Sequence, residues 1–152
     1  KYAPDAKPVP ANVVEKRADG KFHFFRAPGL GLQQPGQPHF GGKVFALMNG
    51  GTFSTSCEFL SMLPFHKRGF LIGEEAAGGY YGCTCGFRVN VTLPNSKVWL
   101  PLGMVTYYYA ASEYGQAERG MLPDYPVQHT ISDLLTGRDK DMELALALAR
   151  AK

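Results

Sequence analysis

The apolar residues of the chain change their spacing twice between residues 43 and 73, and the changes mark three elements. Residues 43–48 (KVFALM) form a nearly continuous apolar run closed by residues 49–51 (NGG), which is typical of a buried strand. Apolar positions then recur at near-helical spacing through residues 53–63. Residues 69–73 (GFLIG) form a second apolar run of strand length. The order strand, helix, strand predicts a βαβ unit with a right-handed crossover.

The helix predicted between these strands has a start signal and a stop signal. Thr55 is followed three residues later by Glu58, which is the spacing of a capping box. Pro64 has no backbone N–H to donate and should end or kink the helix.

The end of the chain is predicted to be helical in two pieces. Thr130 is expected to cap residues 131–136, which Gly137 stops. Asp139 is expected to cap residues 142–150, whose Leu and Ala content favours a helix.

Other segments alternate apolar and polar residues with the period of two that a half-buried strand requires. Residues 87–93 show this alternation, and a turn at residues 94–96 leads to further strands at residues 97–100 and 104–109. Three segments show no periodicity and are predicted to be loops or irregular: residues 27–42, 74–86 and 110–126. The elements together predict an α/β fold: a small mixed sheet with one βαβ unit, antiparallel strands and C-terminal helices.

The first forty residues stand apart from this pattern. Residues 13–17 and 21–26 flank Gly20, which supplies the positive φ of a hairpin turn. We therefore expect residues 1–38 to form a hairpin with a Pro/Gly-rich lead-in, and residues 39–152 to form the main body.

Composition excludes several classes of protein. With 45% hydrophobic and only 19% charged residues, the chain has the composition of a packed domain and not of a disordered one. A net charge of +3 without any basic block gives no indication of a nucleic-acid partner. No apolar run approaches the roughly 18 residues of a transmembrane helix. The chain begins at Lys1 without Met or an apolar leader, so we expect a processed form or a piece of a longer protein.

Residues 50–56 (GGTFSTS) carry the sharpest chemical feature. They place Ser54 between a buried strand and the first turn of a helix. At that position, backbone N–H groups and the helix dipole could stabilise a developing oxyanion. Ser and Thr are also typical of helix N-termini as simple caps, and the spacing alone favours the cap.

Six short motifs in the last three quarters of the chain resemble, in the same order, motifs of the C-terminal-processing (tail-specific) serine peptidases. They are residues 43–51, similar to the strand ending in Asn-x-Gly; 52–54, to the Thr-x-Ser nucleophile motif; 73–79, to the glycine loop; 93–96, to the Leu-Pro-(Asp or Asn)-Gly turn; 120–124, to Gly-Val-x-Pro-Asp; and 133–139, to the closing segment. No single motif is specific, but six in order favour Ser54 as the nucleophile. The resemblance implies a crotonase-like fold, with residues 39–152 as the C-terminal part of a catalytic domain.

The resemblance departs from the best-known members at the general base. Those members pair the serine with a lysine in the glycine loop, where this chain has Gly79. The double glycine at Gly78 and Gly79 resembles the tricorn-core and retinoid-binding-protein-like branch, whose base is a histidine from an upstream segment. That segment, and the strand that supplies a second oxyanion amide in the family, are not in this sequence. The resemblance therefore implies that this chain alone is inactive.

By resemblance, the protein is a serine endopeptidase that cleaves polypeptides through an acyl-enzyme at Ser54. The backbone N–H of Thr55 is the implied oxyanion donor. Glu118 resembles the acidic residue that assists the base, although it lies one position nearer to Gly120 than in that branch. Neither a cofactor nor a metal is required.

The resemblance also implies partners and a location. The expected partners are polypeptide substrates and the rest of a parent chain. That rest would contain the upstream catalytic segment, and a PDZ domain is a further candidate. The expected location is the bacterial periplasm or cell envelope. The alternative function is a catalytically inactive peptidase-like domain that binds peptide or an apolar ligand, as retinoid-binding proteins do on this scaffold.

The remaining reactive side chains give weaker signals. Cys83 and Cys85 fall short of the four ligands of a zinc site, so packing or a disulfide with Cys57 is favoured. Glu74 is expected to order its own glycine loop, and His66 is expected to be exposed. No spacing makes a general base of any of the four histidines: His23, His39, His66 and His129. The tyrosines are expected to be strand and cleft-lining residues: 80–81 and 107–109.

Overall fold

The computed structural model describes residues 7, 9–26, 30–84, 87–113 and 118–151. Within these residues the strands are β1 (Val14–Lys16), β2 (Phe22–Phe24), β3 (Val44–Met48), β4 (Gly69–Gly73), β5 (Gly82–Thr84), β6 (Arg88–Thr92), β7 (Trp99–Gly103), β8 (Thr106–Tyr108) and β9 (Tyr125–Pro126). The helices are α1 (Thr55–Phe65), α2 (Ile131–Thr136) and α3 (Lys140–Arg150). The described residues divide into two units: a hairpin unit within Lys1–Gly41 and Val89–Leu102, and a sheet unit within Gly42–Arg88 and Gly103–Lys152.

The hairpin unit contains the hairpin predicted near the start of the chain. Strands β1 and β2 pair antiparallel, and the turn between them uses Gly20 at a φ of 77°. The carboxylate of Asp19 accepts hydrogen bonds from the Lys21 N–H at 2.9 Å and lies 2.8 Å from His23 Nε2. Strands β6 and β7 also pair, and the Leu93 N–H donates to the Val98 carbonyl at 2.9 Å across their turn. The strands predicted at residues 87–93 and 97–100 correspond to β6 and β7.

The sheet unit is built on the predicted βαβ unit. Strands β3 and β4 pair in parallel over five residues, and β9 pairs in parallel with β4. Helix α1 connects β3 to β4, and its buried face meets Leu71 in one apolar cluster. Ile72 belongs to a second cluster, with Ala145 of α3. Because neighbouring residues of a strand point to opposite faces, α1 and α3 cover the two sides of this small sheet.

The expected mixed sheet is divided into separate sheets. The sheet β3-β4-β9 is parallel throughout, and β5 pairs antiparallel with β8 in a sheet of its own. Strand β5 lies within residues 74–86, which were expected to form a loop. At Gly82 the φ is 146°, and a Cβ would collide with the Tyr107 carbonyl oxygen, so the pairing of β5 with β8 requires glycine here. Glycine has a low strand propensity, which is why the sequence did not predict this strand.

Strand β9 lies within residues 110–126, which were expected to be irregular. It has only two residues, too few to show a period. The side chain of Asp124 extends its pairing, because Oδ2 accepts a hydrogen bond from the Leu71 N–H at 2.8 Å. This contact explains why the motif at residues 120–124 ends in an aspartate.

The two C-terminal helices begin and end largely as predicted. Thr130 and Asp133 form a capping box at α2, and Gly137 ends that helix with a φ of 68°. Asp139 caps the next helix through a hydrogen bond from the Met142 N–H, but α3 starts at Lys140, two residues before the expected position. In the described part of the chain, no helix is both long and apolar enough to cross a bilayer.

Candidate functional site

Ser54 lies at the turn from β3 into α1, as the sequence predicts. Strand β3 ends at Met48, and Ser54 is the N-cap residue directly before α1. Its backbone has a φ of 57° and a ψ of −131°, in the mirror region that glycine populates and other residues rarely do. Such conformations cost about 1–3 kcal/mol and collect at active sites, where the surrounding structure holds them in place.

The turn before Ser54 is held by local hydrogen bonds. The side chain of Asn49 accepts from the Gly51 N–H at 2.8 Å, and the Thr52 hydroxyl accepts from the Asn49 N–H at 3.1 Å. The Thr52 N–H returns a bond to the Asn49 carbonyl at 2.8 Å. The Asn and Thr of the motifs at residues 49–54 therefore build the turn that presents Ser54.

The capping box predicted from Thr55 and Glu58 is wrong. The N-cap residue of the helix is Ser54 and not Thr55. The Ser54 hydroxyl makes no cap hydrogen bond with the described backbone of α1. An N-cap side chain normally reaches the helix amides from an extended backbone, which Ser54 does not have. The simple-cap interpretation of Ser54 therefore fails, and the hydroxyl of this half-buried residue makes no cap bond at the helix terminus.

Thr55 is the first residue of α1 and is exposed. The first N–H groups of a helix have no intrahelical partner and carry the positive end of the helix dipole. The N–H of Thr55 therefore combines both features of an oxyanion donor one residue after Ser54.

Pro64 lies inside α1, which ends one residue later at Phe65. The expected stop is therefore correct to within a residue.

The glycine loop passes directly beneath the first turn of α1. The thiol of Cys57 donates to the carbonyl oxygens of Thr52 and Gly78, each at 3.4 Å. A Cβ on Gly78 would lie 2.7 Å from the Cys57 sulfur, so only glycine allows this approach. Burial raises the pKa of the Cys57 thiol. Both Cys57 and Cys83 are free thiols, so the disulfide considered for Cys57 does not involve Cys83.

The same loop pairs with the segment that carries the second glycine motif. The Ala76 N–H donates to the Met121 carbonyl, and the Met121 N–H donates to the Gly78 carbonyl, both at 3.0 Å. Gly120 approaches so closely that a Cβ on it would collide with the Ala76 carbonyl oxygen. Residues 76–78 and 120–121 therefore behave as one ladder.

Glu75, and not Glu74, secures this ladder. Its carboxylate accepts from the Arg119 guanidinium at 2.7 Å and 3.2 Å and from the Gly120 N–H at 2.9 Å. The hydrogen bond from Arg119 is the main reason that the pKa of Glu75 is lowered. Glu118 lies one residue before Arg119 and is exposed.

Among the described residues, no histidine is hydrogen-bonded to the Ser54 hydroxyl. His23 pairs with Asp19 in the hairpin unit, and His129 Nε2 lies 3.0 Å from Asp141 Oδ2. His66 is exposed, as predicted, and its ring lies edge-on to Phe65. Those same residues hold no cluster of side chains suited to a metal ion. Cys85 lies outside the described residues.

Tyr109 is the residue of this region that sequence reasoning missed. Its hydroxyl donates to the Ser54 carbonyl oxygen at 2.8 Å, and its side chain is buried. The pattern at residues 107–109 predicted only strand or cleft-lining aromatics. A contact over 55 positions leaves no local signal in one sequence.

A cavity of about 420 Å³ opens beside the turn. Its lining combines apolar side chains with hydroxyl groups: Leu47, Thr52, Thr55, Ser56, Phe59 and Leu60. Its volume lies within the range of ligand-binding clefts, but it is open to solvent, since Phe59 on its wall is 59% exposed. Because Thr55 is one wall, a group bound here lies next to the Ser54 turn.

No family model matches the sequence, and no curated protein matches it. One matching solved structure is the crystal structure of a "putative peptidase" from Parabacteroides merdae ATCC 43184, with 24% sequence identity and a TM-score of 0.46. The match covers 72% of this chain and 32% of that protein, so the chain spans about a third of its length.

Proposed function

We propose that the protein is a serine-type peptidase related to the C-terminal-processing peptidases, with Ser54 as its nucleophile. The observation that carries the proposal is the conformation of Ser54. It is a non-glycine residue at a φ of 57° between a strand and a helix, and its hydroxyl is not used as a cap. A nucleophilic serine on a sharp, strained strand-to-helix turn has its hydroxyl presented outward, as peptide hydrolysis requires.

The start of α1 supports a further requirement of acyl transfer, a hydrogen-bond donor for the oxyanion. A tetrahedral intermediate needs donors fixed beside the nucleophile. The proposed donor is the backbone N–H of Thr55, which is the first residue of the helix and therefore has no intrahelical acceptor. The Thr55 side chain has no part in this role.

The cavity next to Thr55 supports a substrate class. Apolar walls from Leu47, Phe59 and Leu60 favour an aliphatic or aromatic side chain of a polypeptide. We therefore propose cleavage next to an apolar residue of the substrate.

The general base is proposed to come from outside the described residues, as in the branch with two glycines in the loop. Two observations support this proposal. No described histidine bonds to the Ser54 hydroxyl, and by the sequence resemblance Gly79 stands where the best-known members have the dyad lysine. Glu118 is proposed to assist that base on the sequence resemblance, and its exposed position one residue before Arg119 is compatible with this role.

Labelling with a fluorophosphonate tests the proposal on the protein together with any segments that flank these residues. We expect the wild type to be labelled and Ser54→Ala to lose the label while keeping its melting temperature within a few degrees. Ser132→Ala is the control, because Ser132 is an exposed serine of α2. Equal labelling of Ser54→Ala and the wild type would remove Ser54 as the nucleophile.

The alternative is an inactive peptidase-like domain that binds peptide or an apolar ligand. The apolar cavity favours it, since a cavity of this kind serves binding without any base. It predicts that a well-folded wild type takes up no fluorophosphonate yet binds apolar peptides. It also predicts that Phe59→Ala, at the cavity wall, weakens that binding while Ser54→Ala does not.

A further inference from the structure

The hydroxyl of Tyr109 reaches across the sheet unit to the backbone of Ser54. Its side chain is only 2% exposed, and its Oη donates to the Ser54 carbonyl oxygen at 2.8 Å. The same carbonyl accepts the N–H of Glu58 at 3.1 Å as the first hydrogen bond of α1. Two donors therefore converge on the carbonyl oxygen of the strained residue itself.

The peptide group explains why this carbonyl matters. The carbonyl of Ser54 and the N–H of Thr55 belong to one planar, trans peptide unit. Fixing the direction of its C=O therefore fixes the direction of its N–H on the opposite side. The helix bond from Glu58 forms at any helix start, whereas the bond from Tyr109 is added by the tertiary structure.

We propose that Tyr109 is a positioning residue, which orients the Thr55 N–H as an oxyanion donor by holding the Ser54 carbonyl. The proposal rests on the proposed function of Ser54. Tyr109 touches neither substrate nor the reacting atoms, and it acts only through the peptide group that it binds.

The surroundings of Tyr109 suit this role. Burial raises the pKa of its hydroxyl, and the neighbouring Cys83 thiol acts in the same direction. The phenol therefore stays protonated, and so able to donate, throughout the pH range in which a peptidase works. A backbone strained as at Ser54 persists only where several contacts hold it, and the bond from Tyr109 is such a contact.

The test compares Tyr109→Phe with Tyr108→Phe in the protein with its flanking segments. Tyr109→Phe keeps the ring and removes the hydroxyl that donates to Ser54, while Glu58 still satisfies the carbonyl. Tyr108→Phe removes a hydroxyl that lies 3.2 Å from the hydroxyl of Tyr81, on an exposed side chain. The measurements are kcat and KM on a fluorogenic peptide that the wild type cleaves, and the affinity for a peptide boronate that forms a tetrahedral adduct.

We expect Tyr109→Phe to lower kcat about tenfold to a hundredfold with little change in KM, because loss of a whole oxyanion donor costs about a hundredfold to a thousandfold. Boronate affinity should fall in parallel, and Tyr108→Phe should match the wild type in both. A lower melting temperature with unchanged kcat and boronate affinity would show a merely structural hydrogen bond and overturn the inference alone. A wild type that neither cleaves peptide nor reacts with fluorophosphonate would overturn the proposed function, and this inference with it.

Discussion

The backbone at Gly79 runs so close to Arg119 that a Cβ built on Gly79 would lie 2.8 Å from the Arg119 carbonyl oxygen. Observed Cβ atoms essentially never approach a backbone atom this closely. The ladder between residues 76–78 and 120–121 fixes both sides of the contact. The Arg119 carbonyl therefore restricts position 79 to glycine. A side chain at this position would force the two backbone segments apart.

The first prediction follows for Gly79→Lys, which would place a lysine where the peptidases that the sequence resembles have one. We expect it to destabilise the protein by about 1–3 kcal/mol, as overpacking typically does, and to leave this chain without peptidase activity. Gly36→Lys is the control, since a Cβ on Gly36 meets nothing within 4 Å. Denaturant unfolding and a peptidase assay measure both effects. A stable Gly79→Lys variant with serine-dependent activity would contradict the prediction.

The second prediction concerns the strain at Ser54. Ser54→Gly is expected to be more stable than Ser54→Ala by about 1 kcal/mol. The strained backbone costs about 1–3 kcal/mol with alanine, and glycine relieves this strain. Glycine itself costs roughly 0.5–1 kcal/mol because the unfolded chain has more conformational freedom, so the relief is the larger effect. Both variants lack the hydroxyl and should lose fluorophosphonate labelling equally.

The same two substitutions at Ser56, two residues later, should give a stability difference of the opposite sign. Within α1, Ser56→Gly should be less stable than Ser56→Ala by about 0.5–1 kcal/mol, because a helical backbone carries no such strain. Urea unfolding of the four variants measures the two differences. The same sign at both positions would show that the Ser54 backbone is not held at a positive φ.

The part of the fold predictable from sequence is the part that local pattern determines. The runs that became β3 and β4 are apolar throughout and end near glycine, so their position and length follow from composition. Their burial follows only in part, because Leu47 and Phe70 are exposed. Thr130 and Asp139 cap helices through contacts no more than three residues away, and such contacts are visible in sequence.

What sequence could not supply depends on distant contacts. Strand β5 exists because Gly82 lets it approach Tyr107, and β9 is extended by the side chain of Asp124. At the candidate site, the local pattern pointed to Thr55 and Glu58 as a capping box, whereas the helix begins with a residue in a strained conformation. That conformation is supported by Tyr109, whose position relative to Ser54 is set by the whole sheet unit.

The third prediction separates two adjacent glutamates of the glycine loop. Glu75→Gln should lower the melting temperature at neutral pH, because it weakens the bonds from Arg119 and the Gly120 N–H. Glu74→Gln should have little effect, since Glu74 is exposed and its backbone N–H, which donates to Met48, is unchanged. Equal melting temperatures for the two variants would show that the carboxylate of Glu75 does not hold the ladder.

The pKa of Glu75 adds a pH dependence to this comparison. Because that pKa is lowered in the folded protein, the contribution of Glu75 to stability is present above the ordinary value of 4.5. It is lost as the pH falls through the lower folded value. The difference in melting temperature between the wild type and Glu75→Gln should therefore shrink on acidification, which thermal melts at a series of pH values would measure.

The fourth prediction concerns Asp133, the one carboxylate of the capping box at α2. Its Oδ2 accepts from the Thr130 hydroxyl at 2.6 Å and the Thr130 N–H at 2.8 Å, with Lys140 Nζ at 3.3 Å. These contacts, with the Thr130 hydroxyl as the largest cause, lower its pKa from 3.8 to about 2. A lowered pKa means that folding favours the charged carboxylate. The stability that Asp133 contributes is therefore complete above pH 3.8 and is lost as the pH falls towards about 2.

Asp133→Asn should accordingly melt below the wild type at pH 7, and the gap should close as the pH falls from 3.8 towards about 2. Asp139→Asn is the control, because Asn caps a helix about as well as Asp and should keep the wild-type melting temperature at pH 7. Circular dichroism melts between pH 2 and pH 7 would measure the gap. A gap that stays constant over this range would show that the charge of Asp133 is not what stabilises α2.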